Sequence, residues 1–483
     1  MSGSVAIAAI FGPMILATLT GWIGRREGSW VRWVALGLFA LLFVFALGLL
    51  EALPSGGGYL NLGSFLPVPA IDFTLTLRVD TLSVVMLILT ALLLMLVALS
   101  SWSIERAGPY FSLLILFSGP IFGVFMSTNL LWFFIFWELT LVPMYFLVGI
   151  WGAEGRVYAA VKFFLYTHFA SMLILLAFFL IYHQSGVFDM SLVKESMLAT
   201  PVLIWWLLFI GFAVKMPIFP FHTWLPDAHV QAPAPISVLL AGVLLKMGAY
   251  AMIRMAVLMM PETAARFAWV ILTLGLITLF YAGFMALYET HLKKMVAYSS
   301  ISHMGLVTVA IATLSYAGLG AALFEMIGHA LIISPLFLIA GFLHHKTGSW
   351  QMADMGGLMQ KAPWISAIFV LAGLAALGLP GTVGFIGELS ILIAAIKSYG
   401  LWLAAVALGS MIGAGYIIWT FRRVIYGEIS PTVSRSDFRM HPAEFAALVI
   451  FAVLIVWFGL FPSELFGVIN QAFMSLAAAG GGA

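Results

Sequence analysis

The sequence predicts an all-α, polytopic membrane protein with about fourteen transmembrane helices, and three observations predict it. Of its 483 residues, 63% are hydrophobic and 8% charged, and the mean hydropathy is +1.13. No soluble domain of this size has that composition. Apolar runs of roughly 20 residues, the length that crosses a hydrocarbon core, recur from one end of the chain to the other. Lysine and arginine are shared unevenly between alternate connections, as in proteins oriented by the positive-inside rule.

Taken in order, the expected spans are 4–24, 31–51, 80–102, 109–127, 129–151, 157–184, 201–222, 235–259, 266–288, 294–314, 318–343, 363–398 with a break, 401–427 and 443–468. No basic residue precedes the first run and Arg25, Arg26 and Arg32 follow it, so it reads as a retained helix with its N-terminus outside. Between spans two and three, the glycines and the alternating IDFTLTLRVD of 53–79 predict a short hairpin on the outer face. With that orientation, one side holds Arg25, Arg26, Arg32, Arg106, Arg156, Lys162, Lys293, Lys294, Lys346, Lys361, Arg422, Arg423, Arg435 and Arg439. The other holds only Arg78, Lys194, Arg254, Arg266 and Lys397. Both termini are therefore expected on the outer, periplasmic side of a bacterial inner membrane.

Lys215 and Lys246 are left over, inside spans. A charge at the bilayer centre costs about 2.5–3.5 kcal/mol even on translocon scales, so it faces a bundle interior and marks a functional path by default. Glu138 and Glu388 are placed at similar depth, as are His168, His303, Glu325 and His329. Pro217 and Pro220 follow Lys215, and Leu379-Pro380-Gly381 precedes Glu388, so spans seven and twelve should be interrupted. Such breaks occur in pairs in transporters built from inverted repeats. Five spans separate them, which divides the chain into helices 1–3 (1–108), a first inverted repeat (109–260, helices 4–8), a second (266–427, helices 9–13) and a C-terminal helix with its tail (428–483).

Other chemistries are excluded or weak. The absence of cysteine removes disulfides, thiolate metal sites and Cys-ligated iron–sulfur clusters. A net charge of +2 leaves no nucleic-acid footprint. Asp227 and His229 imitate a metal pair without enough ligands; with His222 they are expected to cap and hydrogen-bond the loop between spans seven and eight, at the mouth of a first half-channel. His344 and His345 are expected on a solvated basic loop. There is no room for a nucleotide or flavin domain, so no cofactor is expected in this chain.

The stretches FWELTLVPMYFLVGIWG (136–152), KMPIFPFHTWLPDAHVQAPAPISVLLAGVLLKMGAYAMIR (215–254), AYSSISHMG (297–305) and GFIGELS (384–390) resemble the antiporter-like membrane subunits of respiratory complex I, NADH-quinone oxidoreductase. Glu388, where sister subunits usually carry lysine, and the ending soon after span fourteen resemble its M branch. The resemblance implies a proton-translocating subunit without redox chemistry of its own, with two half-channels joined by buried Lys, Glu and His. Its partners would be other membrane and peripheral subunits, with NADH and quinone bound by those partners. The resemblance makes Glu138 the partner of Lys215, Lys246 the central lysine and Glu388 the exit carboxylate. His303 and His329 continue the polar axis, with the imidazole's ordinary pKa of about 6.5 suiting a relay. His168 and Glu325 stay outside this first set, although Glu325 and His329 are four apart and share a helix face. A subunit of an Mrp-type sodium/proton antiporter, a membrane subunit of an energy-converting hydrogenase, a stand-alone secondary transporter and a structural scaffold remain open alternatives.

Overall fold

The computed structural model describes residues 3–24, 28–54, 58–68 and 73–470. Among the described residues, 12 helices are long and apolar enough to cross a membrane. They are α1 (Gly3–Ile23), α2 (Gly28–Ala52), α3 (Thr81–Ser100), α4 (Ala107–Met126), α5 (Leu130–Trp151), α6 (Arg156–Ser185), α9 (Ala234–Leu258), α10 (Pro261–Tyr288), α11 (Leu292–Ala312), α12 (Tyr316–Thr347), α15 (Leu401–Ile425) and α16 (Pro442–Leu460). Two shorter apolar helices, α7 (Pro201–Lys215) and α13 (Pro363–Ala376), end at interruptions, after which α8 (Trp224–Gln231) and α14 (Val383–Tyr399) resume. The hairpin expected within 53–79 is present as β1 (Leu60–Val68) and β2 (Phe73–Val79), paired antiparallel with two register shifts. The expected span 443–468 divides, since α16 stops at Leu460 and a further helical stretch runs over 462–470.

Local chemistry sets the helix ends. Asp80 caps α3 by accepting from the Ser83 N–H at 3.0 Å, and Ser315 caps α12 by accepting from the Gly318 N–H at 3.1 Å. Proline opens α7, α10, α13 and α16 in the first turn, where no helical donor is lost. Gly186 and Gly348 close α6 and α12 at φ 77° and 72°, the left-handed conformation that glycine adopts without strain. The first interruption contains Pro217 at φ 25° and a cis Phe219–Pro220 peptide; the second contains Gly378 and Gly381 at φ 77° and 90°.

The inner layer is formed by α9, α11 and α12, which are buried almost throughout, with α3 and α4 beside them. Glycine permits close approach there. A Cβ on Gly275 of α10 would stand 3.0 Å from the Val309 nitrogen of α11, and one on Gly305 would stand 2.8 Å from the Leu279 Cα. Backbones that near each other gain contact in the absence of a hydrophobic drive between lipid-solvated helices. α9 carries two π-helical stretches, Leu240–Leu244 and Met252–Leu258, on either side of the α-helical turns Leu245–Ala251.

Several basic residues assigned from sequence to connections lie elsewhere. Lys162 is in α6 and Lys293 is in the first turn of α11 with 1% exposure. Arg254 lies inside α9, where its guanidinium meets the Asp80 carboxylate in a bidentate pair at 2.5 Å for each bond, with Ser83 Oγ at 3.0 Å. Asp80 is distant in sequence, and only the fold makes burial of this arginine tolerable. His344 belongs to α12 and stacks on Trp350 at 3.8 Å, whereas His345 is exposed. Arg25 and Arg26, two residues of the orientation argument, and the tail 471–483 lie outside the described residues.

Candidate functional site

α5 is distorted beside Glu138. Thr140 donates its hydroxyl to the Trp137 carbonyl at 2.7 Å, and the helix reads as two pieces, Leu130–Leu139 and Leu141–Trp151. The Glu138 carboxylate turns to α6, where its Oε2 lies 2.6 Å from His168 Nδ1. Its Oε1 is buried without a hydrogen-bond partner. Lys215, the last residue of α7, is 2% exposed and its amine also has no hydrogen-bond partner. The amine sits 5.1 Å from the centre of the Trp137 ring, whose indole N–H donates to Ser171 Oγ at 3.1 Å. The expected Glu138–Lys215 pair is therefore not a direct contact. The hydrogen bond of Glu138 goes to His168 instead. Depth in the membrane was legible from the sequence; the direction in which Glu138 points from α5 was not.

Lys215 adjoins the centre through its backbone. A Cβ on Gly248 of α9 would lie 2.8 Å from the Met216 nitrogen and 3.1 Å from the Lys215 carbonyl carbon. Two residues earlier on α9, Lys246 is fully buried. Its amine donates to the Ala241 carbonyl at 2.7 Å and meets His329 Nδ1 at 2.5 Å. Ala241 lies in the first π-helical stretch, and a π turn presents carbonyls in a spacing that a regular α-helix does not offer. The His329 ring stands 5.4 Å from that of His303 on α11. His303 Nδ1 then meets Glu325 Oε1 of α12 at 3.0 Å.

From Glu325 the set crosses to the second interrupted helix. Gly387 of α14 lies directly against Glu325 Oε2, and any Cβ there would overlap the carboxylate. Its neighbour Glu388 reaches back to the break, where a Cβ on Gly378 would stand 2.9 Å from Glu388 Oε2. Glu388 also lines a small cavity with His303, Ser302, Ser410 and Tyr416. Lys246, His329, His303 and Glu325 thus form one buried succession, which the half-buried Glu388 adjoins. Glu325, set aside from sequence, is its fourth member, and its four-residue spacing from His329 was the available signal.

The loop residues behave differently from expectation. Asp227 pairs with Lys162 at 2.6 Å. His222 is buried with Nδ1 unpartnered, and both ring nitrogens of His229 are buried without partners, so these two rings do not hydrogen-bond the loop. Instead they stack, His222 against Phe219 at 5.7 Å and His229 against Phe337 at 4.5 Å. The end of α8 is held by Lys293, whose amine donates to the Ala232 carbonyl. Outside the spans, burial and then the neighbouring Lys293 and Lys294 push the His291 imidazole down to about 4, and its Nδ1 accepts the Lys294 N–H at 3.3 Å. Its ring stacks on Trp350 at 5.3 Å. Among the described residues, no group of three or more His, Asp or Glu side chains could hold a metal ion.

Comparison with known proteins places this geometry in company. Residues 127–413 match the family described as NADH:quinone oxidoreductase/Mrp antiporter, TM. NADH-quinone oxidoreductase subunit M of Rickettsia conorii is 39% identical over 404 residues, covering 82% of each chain. A chain of respiratory complex I from Thermus thermophilus with bound NADH superposes with a TM-score of 0.85 at 27% identity, over 98% of this chain and 99% of that one. A chain of the Mrp complex from Dietzia reaches 0.89 at 20% identity, over 98% and 97%, and shows the shared fold.

Proposed function

The chain belongs to the NADH:quinone oxidoreductase/Mrp antiporter membrane-subunit family, and from that membership we propose that it is the M-type proton-translocating subunit of an NADH-quinone oxidoreductase. It moves protons and leaves electron transfer to partner subunits. One observation carries this reading: two buried hydrogen-bonded pairs, Lys246–His329 and His303–Glu325, whose imidazole rings stand 5.4 Å apart, with Glu388 adjoining. Four buried titratable groups with the half-buried Glu388 beside them, on four helices, have no packing role that apolar residues would not fill better.

In this reading the first half-channel opens by the 216–223 interruption, with His222, Asp227 and His229 near its mouth. Glu138 and Lys215 control loading, because a carboxylate favours the charged amine while burial favours the neutral one. His168 shares the Glu138 carboxylate and tempers that control. Lys246, His329, His303 and Glu325 transfer the proton, and Glu388 releases it on the outer side. Counting each interrupted helix as one crossing adds two to the 12 long helices and gives fourteen. Both termini then face the periplasm, and residues 109–260 and 266–427 form the two inverted repeats.

The test is Lys246→Ala in the intact, reconstituted complex. The complex should assemble with its NADH dehydrogenase subunits, while proton pumping and the quinone reductase rate coupled to it fall by at least about tenfold. Normal pumping at normal assembly would remove Lys246 from the path. Copurification with antiporter or hydrogenase subunits instead would reassign the chain within its family.

A further inference from the structure

α13 and α16 pack side by side on the outside of the bundle, and a groove with a cavity of about 510 Å³ is left between them. Gly459, near the end of α16, lies directly against the backbone of Gly381 just beyond α13, so the two helices run in the same direction. Trp364, Ile368 and Leu371 form one wall, at the spacing of a single helix face, and Phe445, Val449 and Leu460 mark out the other. Every lining residue is apolar, and Trp364 and Leu460 are 74% and 59% exposed on the chain by itself. Trp364 stands where the helices begin. Trp457 stands near the other end, donating its indole N–H to Glu464 at 3.0 Å. Tryptophans so placed mark the two surfaces of a bilayer. Hydrocarbon fills such a groove, because water there would lack polar partners. Size decides between its sources. From Phe445 to Leu460 the groove follows α16 for about 23 Å, and a helix seated along that length, about 10 Å across, would occupy on the order of 1,800 Å³. A helix is too stout to enter; a single acyl chain is not.

The mouth of the groove, where both helices begin, is basic. Lys361 ends the turn Leu358–Lys361, which leads into α13 and packs against the short helix Pro431–Arg435. Arg439 precedes α16 by three residues, and Lys361, Arg435 and Arg439 are all exposed. The two carboxylates of these stretches leave that charge available. Asp437 reaches Arg439 only at 3.8 Å, with side chains 71% and 92% exposed, a kind of pair that is worth little. Glu444 turns away to accept the Ser103 N–H at 3.1 Å. We propose that this groove binds an anionic phospholipid, with one acyl chain lying between α13 and α16 and the phosphate drawn to Lys361, Arg435 and Arg439. A zwitterionic lipid offers the same chain without the net charge, so the basic mouth makes the site selective.

The experiment uses the intact complex in phosphatidylcholine vesicles doped with phosphatidylglycerol or phosphatidylcholine, each carrying the same photoreactive diazirine on its acyl chain. Mass spectrometry should place adducts on the groove residues of α13 and α16. Phosphatidylglycerol should label them at least about fivefold more than phosphatidylcholine, the factor that one basic residue near an anionic headgroup supplies. Lys361→Gln with Arg439→Gln should bring the two lipids level while leaving the phosphatidylcholine signal unchanged. Ala367→Phe and Val453→Phe, both at exposed positions on the groove wall, fill the space without touching the core and should each abolish labelling by both probes. Equal labelling of the native complex by the two lipids would overturn the proposal, leaving ordinary bilayer hydrocarbon in the groove. Labelling of the isolated full chain but not of the assembled complex would overturn it in favour of a neighbouring polypeptide.

Discussion

Glu325 holds the His303 imidazole with one oxygen and has no hydrogen-bond partner for the other. Glu325→Gln keeps the shape and removes the proton-accepting group. Coupled pumping should drop by at least about tenfold, close to the loss in Lys246→Ala, measured by quenching of a pH-sensitive dye in proteoliposomes. The first half gives a second prediction. Because the hydrogen bond of Glu138 is to His168 and the Lys215 amine has no hydrogen-bond partner, a double-mutant cycle should show stronger coupling for Glu138 with His168 than for Glu138 with Lys215. Equal or reversed coupling energies would mean that the carboxylate turns to the lysine in the working protein. The sequence revealed Glu138, Lys215, Lys246 and Glu388 because a charge inside an apolar run needs a reason to be there. It did not reveal partners, since position along a chain gives depth in the bilayer and says nothing of which neighbour a helix face meets.

The helices and their interruptions were mostly legible, for prolines after Lys215 and a Pro-Gly before Glu388 break hydrogen-bonding ladders wherever they occur. The assignments of Lys293 to a connection and of His344 to a solvated loop failed at element ends, where a shift of a few residues decides between a loop and a helical turn. For Arg254 the compensation comes from Asp80, on another helix. Asp80→Asn would leave the guanidinium buried without its counter-charge and should destabilise the protein by about 3–5 kcal/mol, whereas Asp80→Leu with Arg254→Met should recover part of that loss. Thermal unfolding of the detergent-solubilised complex measures both. The connection before α11 carries a pH dependence. His291 titrates at about 4 in the fold against 6.5 in its ordinary state, so the unfolded chain binds more protons between those values. Stability should therefore be complete above about 6.5 and decline as the pH falls towards 4, and His291→Gln should flatten that decline. A pH series of unfolding midpoints for the two proteins decides this, and parallel curves would sink it.

At the scale of the whole molecule the two halves of the proposed path sit at different distances from the surrounding lipid. The Glu325 side chain is 1% exposed, enclosed by α11, α12 and α14. The side chains of Glu138 and His168 are 20% and 44% exposed on the chain by itself, beside the outward-facing Leu165 and Phe169 of α6. Hydrocarbon is a poor neighbour for such a pair. A reagent that dissolves in the bilayer and attacks protonated carboxyl groups, such as a hydrophobic carbodiimide, therefore has a short route to Glu138 and none to Glu325. Mass spectrometry after brief treatment of the isolated chain should find the adduct on Glu138 well before any on Glu325. In the assembled complex, the rate at Glu138 reports directly whether lipid or a neighbouring protein lies against that face. The same chemistry that damages the subunit would map the company it keeps.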